Sequence, residues 1–240
     1  MSHKHIRNIL LKEWALLFTD PNSAFVVTLL PFLIVGQVIL YIWLAFRFGA
    51  EGMLSAPVFQ TALQKLVAAL PGVGQLPGEE QVLVLLLSQV NFFLLLIPTM
   101  IAMSVATFSI VDEKLSGSLE ALLATPVKTR DLLLGKALAG AIPALVVTWI
   151  SAGVFLLVVW AVGWGELIGF VVTARWFLTL FLLTPAVAIL SFMLGVTGSS
   201  RAKDPRGAQN IALLIIFPVF ALIGIQITGI VWFTPSLILV

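Results

Sequence analysis

The sequence is poor in the side chains that most enzymes use for chemistry. Its 240 residues include no cysteine and only two histidines, His3 and His5, which lie beside the N-terminus. The absence of cysteine excludes disulfides, thiol catalysis and thiolate metal sites. Neither histidine belongs to a metal-binding pattern such as HExxH. We therefore expect no catalytic residue and no metal ligand in this chain.

Charge is scarce as well. Only 10% of the residues are charged and 60% are hydrophobic, whereas soluble domains have about a quarter of their residues charged. Such a chain cannot cover itself with polar surface, so its surroundings are predicted to be largely lipid. The net charge of +2 is too small to indicate a nucleic-acid partner.

Motifs for nucleotide chemistry and for ion coupling are missing too. No GxxxxGK[ST] loop occurs, and Gly135-Lys136 follows three leucines instead of a glycine-rich turn, so the chain is not expected to bind nucleotide by itself. No charged side chain is predicted deep within an apolar segment. That absence argues against ion-coupled transport and against an intramembrane hydrolase.

What the chain has instead is long apolar segments. Five of them reach the roughly 20 residues that a helix needs to cross a bilayer, and Lys136 is the only charge within them. They are residues 22–46, 82–111, 132–163, 176–198 and 210–231. Internal prolines, which kink helices, are Pro98, Pro143, Pro185 and Pro218. The predicted fold is an all-α polytopic membrane protein, a single domain over residues 1–240.

Two shorter segments are predicted to be amphipathic helices. Residues 5–19 have apolar side chains at helical spacing, and we expect this helix to lie in the headgroup plane before Asp20-Pro21 ends it. A helix packed on a protein core is the alternative. Its apolar positions are Ile6, Ile9, Leu10, Trp14, Leu17 and Phe18. Residues 47–81 contain a second such helix, PVFQTALQKLVAAL, followed by the turn-rich PGVGQLPG.

The basic residues predict the orientation. If the N-terminus is cytoplasmic, the outside segments contain Arg47, Lys65 and Arg175, and the other ten of the 13 lysines and arginines are inside. This is the bias expected of a multi-pass protein of the cell membrane. Acidic residues in the outside segments include Glu80 and Glu166.

Polar side chains within the spans are amides and hydroxyls. They either hydrogen-bond between helices or line a translocation path. Four amides are expected in the outer half of the membrane and form the candidate path: Gln37, Gln89, Asn91 and Gln226.

The segment VDEKLSGSLEALLATPVKTRDLLLGK at 111–136 joins the second and third spans. Leu115, Leu119, Leu122 and Leu123 share one face of a short helix, which Thr125-Pro126 ends. This face packs either on the membrane surface or in a groove of a partner protein. The basic residues Lys114, Lys128, Arg130 and Lys136 are predicted to hold the segment on the cytoplasmic side.

The same segment carries a family resemblance. It reads E-x-x-x-G-x-L-E-x-L-L-x-T-P from Glu113 to Pro126, followed by Gly135-Lys136, and resembles the loop between the second and third spans of ABC-2-type transporter permeases. Lys12-Glu13-Trp14 before Asp20-Pro21 is similar to the amphipathic connecting helix of that family. SSRAKDPRGAQN at 199–210, before Phe217-Pro218, is similar to its loop between the fourth and fifth spans.

The resemblance implies the permease subunit of an ABC exporter, in which two permease copies pair with two separate ATPases. ATP and Mg²⁺ then bind to the ATPase, and this chain has no cofactor of its own. The implied coupling contact with the ATPase comprises Glu113, Leu115, Gly117, Leu119, Glu120, Leu122, Leu123, Thr125 and Pro126. A second cytoplasmic contact comprises Arg201, Lys203, Asp204 and Arg206.

One feature departs from the family, whose members typically have six spans. Only five are evident here, so the sixth is expected to be missing or only begun. A non-transporting membrane anchor or assembly subunit is therefore the alternative function.

Overall fold

The structure, a computed structural model, describes residues 2–117 and 129–201. Helices account for nearly all of these residues and they contain no β-strand, which confirms the predicted all-α membrane fold. The helices are α1 (Ser2–Thr19), α2 (Pro21–Thr28), α3 (Leu30–Ser55), α4 (Pro57–Ala69), α5 (Gly78–Ser88), α6 (Val90–Leu115), α7 (Thr129–Val159), α8 (Ile168–Val171), α9 (Ala174–Leu178) and α10 (Thr184–Arg201).

Among the residues that the structure describes, four helical segments are long and apolar enough to cross a membrane. They run over Leu30–Gly49, Gly78–Val111, Asp131–Val171 and Ala174–Ser199, and they overlap with the first four predicted spans. The predicted fifth span, 210–231, and its Pro218 lie outside the described residues. The segment Gly78–Val111 is the most enclosed, because 67% of its most apolar window is buried, against 22% for Leu30–Gly49.

The helix breaks fall at positions other than most of the predicted kinks. α6 continues through Pro98 and α7 through Pro143, whereas Leu29 separates α2 from α3 and Gln89 separates α5 from α6. Pro185 is preceded by a wide π-helical turn over Thr179–Leu183. A wider turn accommodates a proline ring that would clash with the carbonyl four residues earlier.

The boundary predicted at Asp20-Pro21 is confirmed. Asp20 caps α2, its carboxylate accepting a hydrogen bond of 2.8 Å from the Ser23 amide, and Pro21 is the first residue of the helix. Aspartate is a favoured cap because it satisfies an otherwise unpaired first-turn amide. Proline suits the first position because it has no N–H to leave unpaired.

The chain folds into two compact units. The first comprises residues 1–32, 95–150 and 183–218, as far as they are described, and its core brings together small side chains of α6, α7 and α10. Small residues let helix backbones approach closely, which is how membrane helices pack without a hydrophobic driving force. The core residues are Ala102, Ala106, Ala141, Ala188 and Phe192.

The second unit comprises residues 33–94, 151–182 and 219–240, again as far as they are described. The amphipathic helix predicted at 57–70 is present as α4, and the turn-rich stretch after it forms a 3₁₀ turn over Pro71–Gln75. α4 packs against this turn and against α5, which in turn contacts α8. Leu66 and Val73 are fully buried in this packing.

The close helix packing of the first unit generates a stability prediction. A Cβ added at Gly195 would lie 2.8 Å from the Ala106 Cβ and 3.0 Å from the Met103 carbonyl oxygen. Gly195→Ala should therefore lower the free energy of unfolding by about 1–3 kcal/mol, the usual cost of overpacking. The measurement is the thermal unfolding midpoint of the purified protein in detergent.

Gly36→Ala is the matched control, because Gly36 lies in α3 with no atom within 4 Å of the added Cβ. It should be neutral, or stabilise by up to about 1 kcal/mol through helix propensity. Equal midpoints for the two variants would contradict the close packing at Gly195.

Candidate functional site

Lys136 is almost fully buried, with 2% of its side chain exposed. It is the eighth residue of α7, and its ammonium reaches carboxylates on two other helices. The Lys136 Nζ lies 3.0 Å from Glu13 Oε1 of α1 and 2.9 Å from Glu113 Oε2 of α6. It also donates a hydrogen bond to the Ser109 hydroxyl.

The acceptors of Lys136 are held by further partners. The Glu13 and Glu113 side chains are 7% and 8% exposed. The Ser109 hydroxyl donates to Glu13 Oε2 over 2.8 Å. The Lys12 Nζ lies 3.3 Å from Glu113 Oε1, and its side chain is 52% exposed. These five residues, called the ionic cluster below, balance two positive charges with two negative ones.

Helix geometry explains how the ionic cluster assembles. Ser109 and Glu113 are four residues apart on α6 and therefore share a face. α1 approaches α7 closely at Gly135, where an added Cβ would lie 2.8 Å from Ile9 Cγ2. Farther along, the Trp14 indole donates to the Ala139 carbonyl over 3.0 Å. The Gly135-Lys136 pair thus combines a close helix contact with the ion-pairing side chain beside it.

Because the ionic cluster is buried, it is stable only when its charges are well paired. Removing a charge from water costs several kcal/mol, and the attraction of its partner offsets that cost only when the geometry is good and the remaining polar atoms are satisfied. Lys136 meets this condition with partners on both α1 and α6. Separating any of the three helices would leave a charge buried without its counter-ion. The ionic cluster therefore fastens α1 to the C-terminal end of α6 and the N-terminal end of α7.

The ionic cluster lies at both ends of the segment that joins the second and third spans. Two residues after Glu113, α6 ends at Leu115, and Gly117 follows with a φ of +69°. A left-handed glycine just beyond a helix end is a common helix terminator. α7 begins at Thr129 and reaches Lys136 two turns later.

The structure describes only some residues of the predicted coupling contact. The Glu113 carboxylate is engaged within the chain by Lys136 and Lys12, a role that the sequence did not predict. Leu115 ends α6, and Gly117 follows it. The other predicted contact residues, Leu119, Glu120, Leu122, Leu123, Thr125 and Pro126, lie outside the described residues. Of the second predicted contact, Arg201 ends α10, and Lys203, Asp204 and Arg206 lie outside the described residues.

The candidate path amides have different surroundings. Gln37 is exposed on α3 and donates to the Tyr41 hydroxyl, 2.7 Å away on the same helix. Gln89 is 5% exposed, and its Oε1 has no hydrogen-bond partner among residues 2–117 and 129–201. Asn91 is half-buried, and Gln226 lies outside the described residues. The path itself stays a prediction.

The apolar face of α1 packs against the protein in part, and its place in the headgroup plane stays a prediction. Trp14 is bonded to α7, Leu17 is buried, and Ile9 contacts Gly135. Phe18, at the edge of the face, is 51% exposed. One signal could have revealed this packing: Glu13 lies between Ile9 and Leu17 at four-residue spacing, and an acidic side chain on an apolar face needs a buried cation.

Together these features define a multi-pass helical membrane protein in which a buried ionic cluster anchors both ends of the segment that joins the second and third spans. The chain belongs to the ABC-2 transporter family: the family model described as "ABC-2 family transporter protein" matches residues 7–234. It is thus a permease component of an ABC transporter, the class that the sequence resemblance indicated. Comparison with curated proteins and with solved structures gave no match.

The ionic cluster predicts a large effect for one substitution. Lys136→Met leaves two carboxylates buried without their central cation, which should lower the free energy of unfolding by about 3–5 kcal/mol. Lys12→Met, at the exposed edge of the same cluster, should cost less than about 1 kcal/mol. Denaturant titration of the purified protein in detergent measures both values.

A triple variant separates the loss of charge balance from the loss of packing. Glu13→Gln, Glu113→Gln and Lys136→Met combined remove every buried charge and should recover most of the stability that Lys136→Met loses. If Lys136→Met proves no more damaging than Lys12→Met, the ionic cluster does not hold the three helices together.

Proposed function

We propose that this chain is the permease of an ATP-driven exporter in which a separate cytoplasmic ATPase binds the segment 113–126. The ionic cluster then passes movement of that segment to α1 as well as to α6 and α7. The supporting observation is that Lys136 joins Glu13 and Glu113, on three different helices, beside both ends of the segment. ATP and Mg²⁺ bind to the ATPase, and the chain supplies no catalytic group.

The leucine face of the segment 113–126 is the contact with the ATPase. Leu119, Leu122 and Leu123 fit the helix-in-groove mode, in which apolar side chains at helical spacing enter a partner's groove. Because Glu113 is engaged by Lys136, it positions the base of the segment instead of touching the partner. Glu120 remains the acidic side chain that orients the docked helix. Arg201, Lys203, Asp204 and Arg206 form the second contact.

To transmit the energy of ATP binding, the segment 113–126 must be connected rigidly to the helices. Converting a gate from 1:99 to 99:1 takes about 5.5 kcal/mol of differential binding. A flexible connection at the base of the segment would dissipate that energy in local motion. Breaking a buried ion pair by losing one partner costs about 3–5 kcal/mol. The ionic cluster can therefore withstand a large part of the differential binding energy without coming apart. Movement of the segment should tilt α6 and α7 and take α1 with them.

The proposal extends to the assembly, for which family membership is the support. We place two permease copies with two ATPases in the cell membrane, each N-terminus in the cytoplasm. Large apolar side chains on the outside of α7 and α10, such as Leu157 at 63% and Met193 at 62% exposed, suit lipid or a second copy. The amides Gln37, Gln89, Asn91 and Gln226 are the proposed path.

A membrane anchor without transport is the second candidate. It would need no ATPase groove, so its leucine face would lie on the membrane surface. Co-purification with an ATPase favours the permease, and transport in reconstituted vesicles on addition of ATP requires it.

Charged substitutions in the leucine face test the contact. Leu119→Asp or Leu122→Asp should abolish co-purification with the ATPase, because a carboxylate cannot enter an apolar groove without a costly desolvation. Ala121→Asp is the matched control, since Ala121 falls on the opposite side of the helix. All three variants should insert into the membrane equally.

If Leu119→Asp and Leu122→Asp keep both the complex and ATP-dependent transport, the segment is not the coupling contact. Loss of the complex in Ala121→Asp as well would point to unfolding of the segment instead of loss of a docking face.

The absence of cysteine allows a direct test of orientation. Gln75→Cys lies in the 3₁₀ turn and Ser116→Cys just after α6, and both positions are exposed. A membrane-impermeant maleimide added to intact cells should label Gln75→Cys and should label Ser116→Cys only after permeabilisation. The reverse pattern would place the segment 113–126 outside the cell and exclude an ATPase contact.

A further inference from the structure

Within the second unit, aromatic and acidic side chains line an open cavity of about 670 Å³. This volume lies in the range of small-molecule sites, about 300–1,000 Å³. Three aromatic rings and two carboxylates line the cavity, from α3, α5 and the stretch that follows α7. They are Phe46, Trp160, Trp164, Glu80 and Glu166.

An irregular backbone places the two tryptophans. α7 ends at Val159, and the backbone kinks within the following stretch, Trp160–Trp164, where Gly163 has a left-handed φ of +95°. Glycine adopts this conformation at no steric cost because it has no Cβ. The Trp164 ring that follows this kink packs edge-on against Phe46, with ring centroids 5.9 Å apart and planes at 74°.

The Trp160 ring lies over a glycine. A Cβ added at Gly165 would be 3.0 Å from Trp160 Cδ1, so the absence of a side chain at Gly165 lets the indole lie close to the backbone. Trp160 is nevertheless 69% exposed. The indole of Trp160 therefore lies close to the backbone at Gly165 while most of its surface remains open to a ligand.

The lining selects for positive charge. Aromatic faces attract cations through their quadrupole, tryptophan most strongly, and carboxylates attract them directly. Within residues 2–117 and 129–201, no lysine or arginine lines the cavity. No ion pair occupies Glu80 or Glu166 among the residues that the structure describes. The carboxylates would repel an anionic ligand, and a neutral ligand would gain only the apolar contact with the rings.

Interfacial tryptophans also anchor membrane proteins without binding ligands, as an aromatic belt. An aromatic belt would explain tryptophan side chains that face outward near the end of a span. It does not explain two carboxylates and three rings around one cavity, or a left-handed glycine that turns Trp164 back onto Phe46.

We propose that this cavity binds a bulky organic cation, such as a quaternary ammonium group with apolar substituents. The ammonium lies against Trp160 and Trp164 near Glu80 and Glu166, and the substituents fill the remaining volume. The ammonium belongs either to a free solute or to a lipid headgroup. Binding needs no ATPase and is independent of the coupling proposed above.

Calorimetric titration of the purified protein in a maltoside detergent tests the proposal with three probes. Benzyltriethylammonium and choline should bind saturably. 3,3-Dimethylbutan-1-ol, the uncharged isostere of choline, should bind at least about 10-fold more weakly. Dihexanoyl phosphatidylcholine distinguishes the sources: tighter binding than choline indicates a lipid headgroup, and weaker binding indicates a free solute.

Variants show whether binding occurs in this cavity. Trp160→Leu should weaken benzyltriethylammonium binding by about 3- to 30-fold, the range of a cation–π contact. Trp43→Leu is its control, being an exposed tryptophan of the same unit outside the lining. Glu80→Gln should weaken binding, whereas Glu79→Gln, its exposed neighbour outside the lining, should not.

Three results would each overturn the proposal. They are the absence of saturable binding by every cation tested, equal binding of choline and its uncharged isostere, and equal effects of Glu79→Gln and Glu80→Gln. The last would mean that the cations sense only the general surface charge. Because no ATPase is present, none of these results bears on the coupling segment.

Discussion

The arrangement of the N-terminal helix and the second and third spans depends on one buried lysine between two carboxylates. Lys136 is 2% exposed and lies within 3.0 Å of oxygens from both Glu13 and Glu113. In water such a pair would contribute little, but inside a helical assembly each charge needs its partner because unpaired burial is so unfavourable. α1 is therefore more than a surface element. It is held to the two helices that lead into and out of the proposed coupling segment.

Small residues make this arrangement possible. Gly135 lets α1 approach α7 closely enough for Glu13 to reach Lys136, and the alanines around Ala106 bring α6, α7 and α10 together. Membrane helices gain little from hydrophobic burial against one another, so close packing and polar contacts are what hold them. The ionic cluster and the small-residue core are thus two parts of one packing scheme. Both lie in the unit that contains the ends of the proposed coupling segment.

Sequence reasoning predicted the features that depend on local pattern. Apolar runs of sufficient length predicted the four described spans, Asp20-Pro21 predicted a helix boundary, and residues 57–70 predicted α4. Each follows from composition or from capping chemistry within a few residues.

The ionic cluster could not be predicted that way, because Glu13 and Lys136 are 123 residues apart and only the tertiary fold brings them together. For the same reason the sequence alone predicts only a cytoplasmic charge at Lys136, at the start of a span, and a docking charge at Glu113. The aromatic cavity was missed because it depends on a left-handed Gly163 that turns the chain out of α7. Nothing in the sequence around Trp160 or Glu80 indicates that these two side chains lie near one another.

The central claim is that α1 moves as one body with α6 and α7 when the ATPase acts. Nitroxide labels at Leu11→Cys on α1 and Leu138→Cys on α7, both exposed positions of one unit in a cysteine-free chain, measure this directly. In the reconstituted transporter, the distance between the labels should form one narrow distribution that is the same without nucleotide and with ATP trapped. In the variant lacking all three buried charges, it should broaden or shift on ATP binding. A distance that changes with nucleotide while the ionic cluster is intact would contradict the account.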